Sequence, residues 1–203
     1  EFYRMTADSD RWRDDPSAPF PEAKLAVVGA RKHLPRRIPY PHFTLKQPAW
    51  RTARGTVSPL DTVENRWGDR SLTATGPKLG GYKEEELEAV LSTEGQRLPT
   101  TTTIPVDQPW DASSSITLSR NAFQILDLGR NRTGFIGATI TCSAPARVYI
   151  FFDEILRNAD VDFLRMGTAS VVRYDLSPGT HPIETFEPYT MRYLKFVVAE
   201  GEC

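Results

Sequence analysis

Residues 122–154, AFQILDLGRNRTGFIGATITCSAPARVYIFFDE, decide the fold. Successive side chains of a strand point to opposite faces, so a half-buried strand alternates apolar and polar residues. Ile136, Ala138, Ile140 and Cys142 fall on one face, with Phe135, Gly137, Thr139 and Thr141 on the other. In the next run Val148, Ile150 and Phe152 share a face opposite Arg147, Tyr149, Phe151 and Asp153. Ser143-Ala144-Pro145-Ala146 separates the two runs with hairpin spacing and a proline where a strand must stop. Upstream, Phe123 to Leu128 predicts a short strand ended by Gly129, and Asn131 to Gly134 a polar turn. β-Branched and aromatic residues dominate, as a pleated, half-covered surface prefers.

The same grammar continues toward the C-terminus. Val161–Met166, Ser170–Leu176, Pro182–Phe186 and Thr190–Ala199 are predicted strands, and Ile116–Ser119 is one before the central stretch. Val172, Tyr174 and Leu176 share a face, as do Leu194, Phe196 and Val198, and charge is expected to keep Lys195 out of the core. Ser177-Pro178-Gly179-Thr180 and Glu187-Pro188-Tyr189 are turns. Short strands at about 8–12-residue spacing with little helix predict an all-β fold, an antiparallel jelly-roll sandwich.

The first 60 residues read differently. Prolines at 16, 19, 21, 35, 39, 41, 48 and 59 oppose long helices and central strands. Trp12, Phe20, Ile38, Tyr40, Phe43 and Trp50 make the stretch too apolar for a free linker, so it is expected to be an extended arm lying on the sandwich or on a neighbouring domain. The division predicted is therefore an arm over 1–60 and a sandwich over 61–203. Within the latter, Tyr82–Leu91 predicts the one short helix, Ser92–Thr103 a loop, and Ile104-Pro105-Val106 an edge-like fragment.

A formal net charge of −1 and a sequence pI of about 6.4 disfavour a nucleic-acid partner, because phosphate binding needs a clustered positive excess. No apolar run reaches the roughly 18–20 residues of a membrane span. No signal peptide is visible and the first residue is Glu1, so a processed chain or a piece of a longer one is expected. Cys142 and Cys203 are the two cysteines. A free buried thiol is the main expectation for Cys142 and a bridge to Cys203 the lesser one, which leaves the compartment open. Asn131-Arg132-Thr133 is a glycosylation sequon that matters only in a eukaryotic secretory pathway.

No catalytic constellation emerges. Asp153 and Glu154 are neighbours at a strand end, expected on opposite faces and solvated. Glu184 and Glu187 are the pair a small jelly-roll hydrolase would recruit. Sugar binding uses an aromatic platform with polar groups beside it, and the best sets are Trp67 with Asp69 and Arg70, and Trp110 with Asp111. Each tryptophan has a plainer use as a plug at the sandwich end or a dock for the arm. His33, His42 and His181 lack metal-ligand spacing, so no metal site is predicted, although calcium on Asp160 and Asp162 stays open.

Gln124-Ile125-Leu126-Asp127-Leu128-Gly129-Arg130-Asn131, followed by Thr133-Gly134-Phe135-Ile136, resembles a signature of bacterial α-L-rhamnosidases, with Arg130 in place of the usual glutamine. Phe152-Asp153-Glu154-Ile155-Leu156, Tyr174-Asp175-Leu176 and Phe186-Glu187-Pro188-Tyr189-Thr190-Met191-Arg192-Tyr193-Leu194-Lys195-Phe196-Val197 follow in the family's order. Leu34-Pro35-Arg36-Arg37-Ile38-Pro39-Tyr40 is similar to its proline-rich connector. The resemblance implies a non-catalytic β-sandwich that precedes an α/α-barrel holding the catalytic carboxylates. It implies that barrel of the same parent chain as the partner, and a rhamnose-containing carbohydrate as the parent's substrate. The family's catalytic acid and base have no counterpart in this chain. A carbohydrate-binding module and a small jelly-roll glycosidase are the alternatives.

Overall fold

The computed structural model describes residues 1–203 apart from 7, 10, 12–14, 18–26, 28, 31, 33, 34, 36, 64–80 and 114. Eleven strands appear among the described residues: β1 (Phe2–Met5), β2 (Trp50–Val57), β3 (Thr100–Pro109), β4 (Ala122–Gly134), β5 (Gly137–Cys142), β6 (Ala146–Asp153), β7 (Leu156–Arg157), β8 (Asp160–Val161), β9 (Val171–Leu176), β10 (Gly179–Glu184) and β11 (Tyr189–Glu200). Seven form one sheet in the order β1-β9-β6-β11-β4-β2-β3. β10 and β5 form a second sheet, and β7 and β8 a small hairpin. Every pairing is antiparallel except β1 with β9, which is parallel, so the large sheet is mixed at one edge.

The large sheet is buried on both faces, and the alternation read in the sequence explains why. Val148, Ile150 and Phe152 of β6 join Val172, Tyr174 and Leu176 of β9 and Leu194 and Val198 of β11 in one core. Ile136, Cys142 and Ile183 close that core from the side of β5 and β10. Tyr149 and Phe151 point the other way, into a second core with Phe123, Ile125, Val171 and Val197. Leu91, Leu98, Leu156 and Phe163 cover this second core. Burying an aliphatic or aromatic side chain is worth about 1.5–3 kcal/mol, so the two cores carry most of the folding energy.

Several local expectations are corrected. β4 does not stop at Gly129, and residues 131–134 are strand rather than turn. Gly129 adopts φ +78, and the register with β11 jumps there from Tyr193↔Asp127 to Met191↔Arg132. The glycine makes a bulge that redirects the strand instead of ending it. The helix lies at Leu91–Gln96 (α1), with only a 3-10 turn at Glu84–Glu86 in the predicted span. Gly95 of α1 sits where a Cβ would lie 2.6 Å from the Phe163 ring, a close approach that propensity alone does not reveal. The threonine run is not loop but the start of edge strand β3.

Residues 116–119 form no strand, yet Leu118 and Cys203 exchange backbone hydrogen bonds of 2.7 and 3.0 Å. Cys203 thereby meets Cys142 in a disulfide, with Cα atoms 4.4 Å apart, and Cys142 is not a free thiol. From the first 60 residues, β1 and β2 are built into the large sheet. Residues 39–48 between them have no regular structure, and Phe43 rests on Phe135 at 6.0 Å between ring centroids.

Candidate functional site

Burial of charge is the feature that sorts the polar side chains of this fold. A buried carboxylate is tolerated only when it is paired and hydrogen-bonded. Asp127, 8% exposed, accepts from Arg192 Nε and Nη2 at 2.9 Å each and from the Gly129 amide at 2.7 Å. Burial would raise its carboxyl, but the Arg192 guanidinium and the Gly129 amide overcome this and hold it below the ordinary range. Asp153 is 3% exposed, not solvated, and is clamped by Arg165 at 2.7 and 2.6 Å. Glu154 reaches the same guanidinium at 3.3 Å, so the two carboxylates converge instead of pointing apart. The hydrogen bond from Arg165 to Asp153 leads the effects that raise its guanidinium. Glu184 and Glu187 are both exposed.

Lys195 is the clearest departure from sequence expectation. It is 5% exposed, and burial pushes its ammonium below the ordinary lysine range while Asp160 opposes that shift. Its Nζ donates to Thr100 Oγ1 at 2.6 Å and to the two Asp160 oxygens at 2.7 and 2.8 Å, and it lies 4.3 Å from the centre of the Phe123 ring. This cross-link ties β11, β3 and the β7–β8 hairpin together. Between β3 and that hairpin runs a polar groove of about 570 Å³. Thr100, Thr101 and Thr103 of β3 line it together with Arg157, Asn158, Asp160, Val161 and Asp162 of the hairpin segment. No sequence motif announces it, because its walls come from β3 and the β7–β8 hairpin, which are far apart in the sequence.

Of the predicted sugar-binding residues, Trp67, Asp69 and Arg70 lie outside the described residues. Trp110 is half-buried and packs against the first core, with the Arg51 guanidinium 5.4 Å from its ring centre. Its Nε1 is buried without a hydrogen-bond partner. Asp111 is exposed, and the Ser113 amide and hydroxyl hold its carboxyl below the ordinary range. Asp160 and Asp162, the residues considered for calcium, pair with Lys195 and Arg157 respectively. Among the described residues no group of three or more metal-ligating side chains is found. His181 is buried and bonded to the Ser177 carbonyl at 2.7 Å, a satisfied core histidine.

No protein-family model matches the chain, and no curated protein matches it. Among solved structures it is similar to part of the GH78 family rhamnosidase of Bacillus sp. GL1, with 17% identity over 54% of this chain and 12% of that one, at a TM-score of 0.40. A rhamnosidase from Klebsiella oxytoca, solved with rhamnose bound, matches at 18% identity over 76% of this chain and 26% of that one, TM-score 0.37. An α-L-rhamnosidase from Aspergillus terreus matches at 19% identity over 40% and 10%, TM-score 0.34. The likeness is a partial one of fold, and the chain spans between 9% and 26% of the length of these proteins and a further one from Dictyoglomus thermophilum.

Proposed function

We propose that this chain is a non-catalytic β-sandwich of an α-L-rhamnosidase-like glycoside hydrolase, supporting a catalytic α/α-barrel of the same parent chain. The observation that carries the reading is the Asp127–Arg192 pair. The two longest segments of the sequence resemblance, residues 124–136 and 186–197, supply most of the paired strands β4 and β11. Asp127 from the first and Arg192 from the second close on each other at 2.9 Å. Asp153, in a third segment, is likewise consumed by Arg165. The residues that carry the resemblance are thus spent on architecture. Glycosidase chemistry needs a carboxylic acid whose proton is retained near neutrality, and Asp127 is held the other way.

The strand order supports the jelly-roll form of this reading. β4-β11-β6-β9 make one layer in the jelly-roll order and β5-β10 face it across the first core, while the β7–β8 hairpin packs on the opposite face of the large sheet through Leu156 and Val161. Of the arm expected over residues 1–60, residues 39–48 are an extended stretch without regular structure, in which Phe43 meets Phe135.

Incubating the chain with 4-nitrophenyl α-L-rhamnoside tests the reading. Release of nitrophenol no faster than in buffer is expected. Turnover abolished by Glu184→Gln or Glu187→Gln would replace it with a small jelly-roll enzyme. A reading frame continuing past Cys203 into several hundred helix-rich residues supports the barrel; a frame that continues without them removes it.

A further inference from the structure

The groove between β3 and the β7–β8 hairpin has no part in the reading above. We propose that it binds a neutral polyhydroxylated ligand, a sugar ring or short oligosaccharide, through Asn158, Thr103, Arg157 and Asp162. This inference stands whether or not the chain belongs to a rhamnosidase-like parent.

Charge decides the ligand class first. Arg157, Asp160 and Asp162 are the charged residues of the lining; Arg157 pairs with Asp162, and Asp160 pairs with Lys195, which is buried and outside the lining. Each lining carboxylate is therefore already neutralised by a paired cation and no positive excess faces the groove, which suits neither a phosphate nor a free cation. The Asp160 carboxylate is saturated as well. Its Oδ1 accepts from Lys195 and the Val161 amide, and its Oδ2 from Lys195 and the Thr100 hydroxyl. A carboxylate offers about four lone-pair sites, so Asp160 is a fixed floor, not a ligand for a metal.

What remains open is a mixture of donors and acceptors. The Asn158 amide and the Thr103 hydroxyl have no partner within the chain among the described residues. Arg157 commits Nη1 to Asp162 at 3.0 Å and keeps its other N–H groups, while Asp162 keeps spare lone pairs. Hydroxyl groups both donate and accept, and a polyol matches such a set without leaving charge unpaired. The volume of about 570 Å³ lies within the usual range for small-molecule sites. No aromatic ring lines the groove, so stacking is absent and the affinity is expected to be weak, with Kd of about 1–10 mM.

The groove is held in shape before any ligand arrives. Asn158 and Ala159 adopt φ +50 and +61, the left-handed conformations of a tight hairpin turn. An alanine there is disfavoured and persists only where the surroundings dictate it. The Lys195–Asp160–Thr100 cross-link provides that constraint and anchors the hairpin to β3.

The test is a ¹H–¹⁵N NMR titration of the full chain with L-rhamnose, D-glucose and D-galactose up to about 100 mM. Saturable shifts at the Asn158 side-chain amide and at residues 101–103 and 157–162 are expected for at least one sugar. Asn158→Gly removes the amide and suits the left-handed backbone; Thr103→Val keeps the shape and removes the hydroxyl. Each should weaken binding about fivefold with an otherwise unchanged spectrum. Absence of saturable shifts with all three sugars overturns the proposal. So do shifts centred on Trp110, affinities indifferent to both variants, or the same residues responding more tightly to phosphate or calcium chloride.

Discussion

Asp127 and Tyr174 show how differently two buried polar side chains can stand. Asp127 is fully partnered by Arg192 and Gly129. Asp127→Asn keeps the shape but removes the charge, and since Arg192 is 38% exposed, water compensates part of the loss. A destabilisation of about 1–2 kcal/mol in urea melts at pH 7 is expected. The Asp127 carboxyl is depressed below its unfolded value of 3.8, so its contribution is present above that pH and is lost as pH falls through the folded value. The gap between variant and parent should therefore close below pH 3.8. Tyr174 is 0% exposed, and its hydroxyl is buried without a partner. Removing an unsatisfied buried group costs nothing, so Tyr174→Phe should be neutral or stabilising by up to about 1 kcal/mol. A clear loss would mean that the hydroxyl has a partner after all. The motif Asp127-Leu128-Gly129 was legible as a pattern, but its use as a bulge clamped by an arginine 65 residues away was not.

At the scale of elements, periodicity worked where one physical force dominated and failed where two competed. Strands β6, β9 and β11 place on each face the residues their alternation assigns, because burial alone sets their register. The helix forms at Leu91–Gln96 and not where propensity puts it, because Lys83 to Glu86 have good helix propensity but no core to pack on, whereas Leu91–Gln96 packs against Phe163 and Phe151. Tertiary packing outweighs propensity in a helix this short. Charge alone places Lys195 at the surface; a carboxylate from the hairpin and a threonine from the edge strand reverse that. The disulfide was undecidable from spacing, since Cys203 reaches β5 only by way of the Leu118 backbone pairing. Closing a loop of 61 residues restricts the unfolded chain and stabilises the fold by up to about 4 kcal/mol. Cys142→Ala combined with Cys203→Ser should lower the free energy of unfolding toward that amount. Equal midpoints for the oxidised and doubly substituted chains would show that the bridge adds nothing.

Over the whole molecule, the sheet buried on two faces has a consequence in alkali. Tyr149 lies in one core and Tyr174 in the other, with Tyr3 stacked on Tyr174 at 4.8 Å. Burial raises the phenols of Tyr3, Tyr149, Tyr174, Tyr189 and Tyr193 above their ordinary value of 10.0, with Glu1 reinforcing Tyr3 and Tyr189, Glu94 reinforcing Tyr149, and Asp127 reinforcing Tyr193. A group raised in the folded state stabilises it fully below the unfolded value and loses that contribution as pH climbs toward the folded one. Lys195 runs the opposite way, because its ammonium is depressed and its burden is relieved as pH rises. One lysine stands against five tyrosines, so stability must fall above pH 10. Because both cores hold a tyrosine, neither face can open alone to let its phenol ionise without unpacking the shared sheet. Tyr40 and Tyr82 are exposed and ionise without unfolding; the absorbance of the other five of the seven tyrosines at 295 nm should rise above pH 10 together with the loss of far-ultraviolet circular dichroism, as the sheet unfolds. The full absorbance change of all seven tyrosines centred at pH 10, with the circular dichroism unchanged, would mean that the five phenols are in contact with water and that the two-faced burial is wrong.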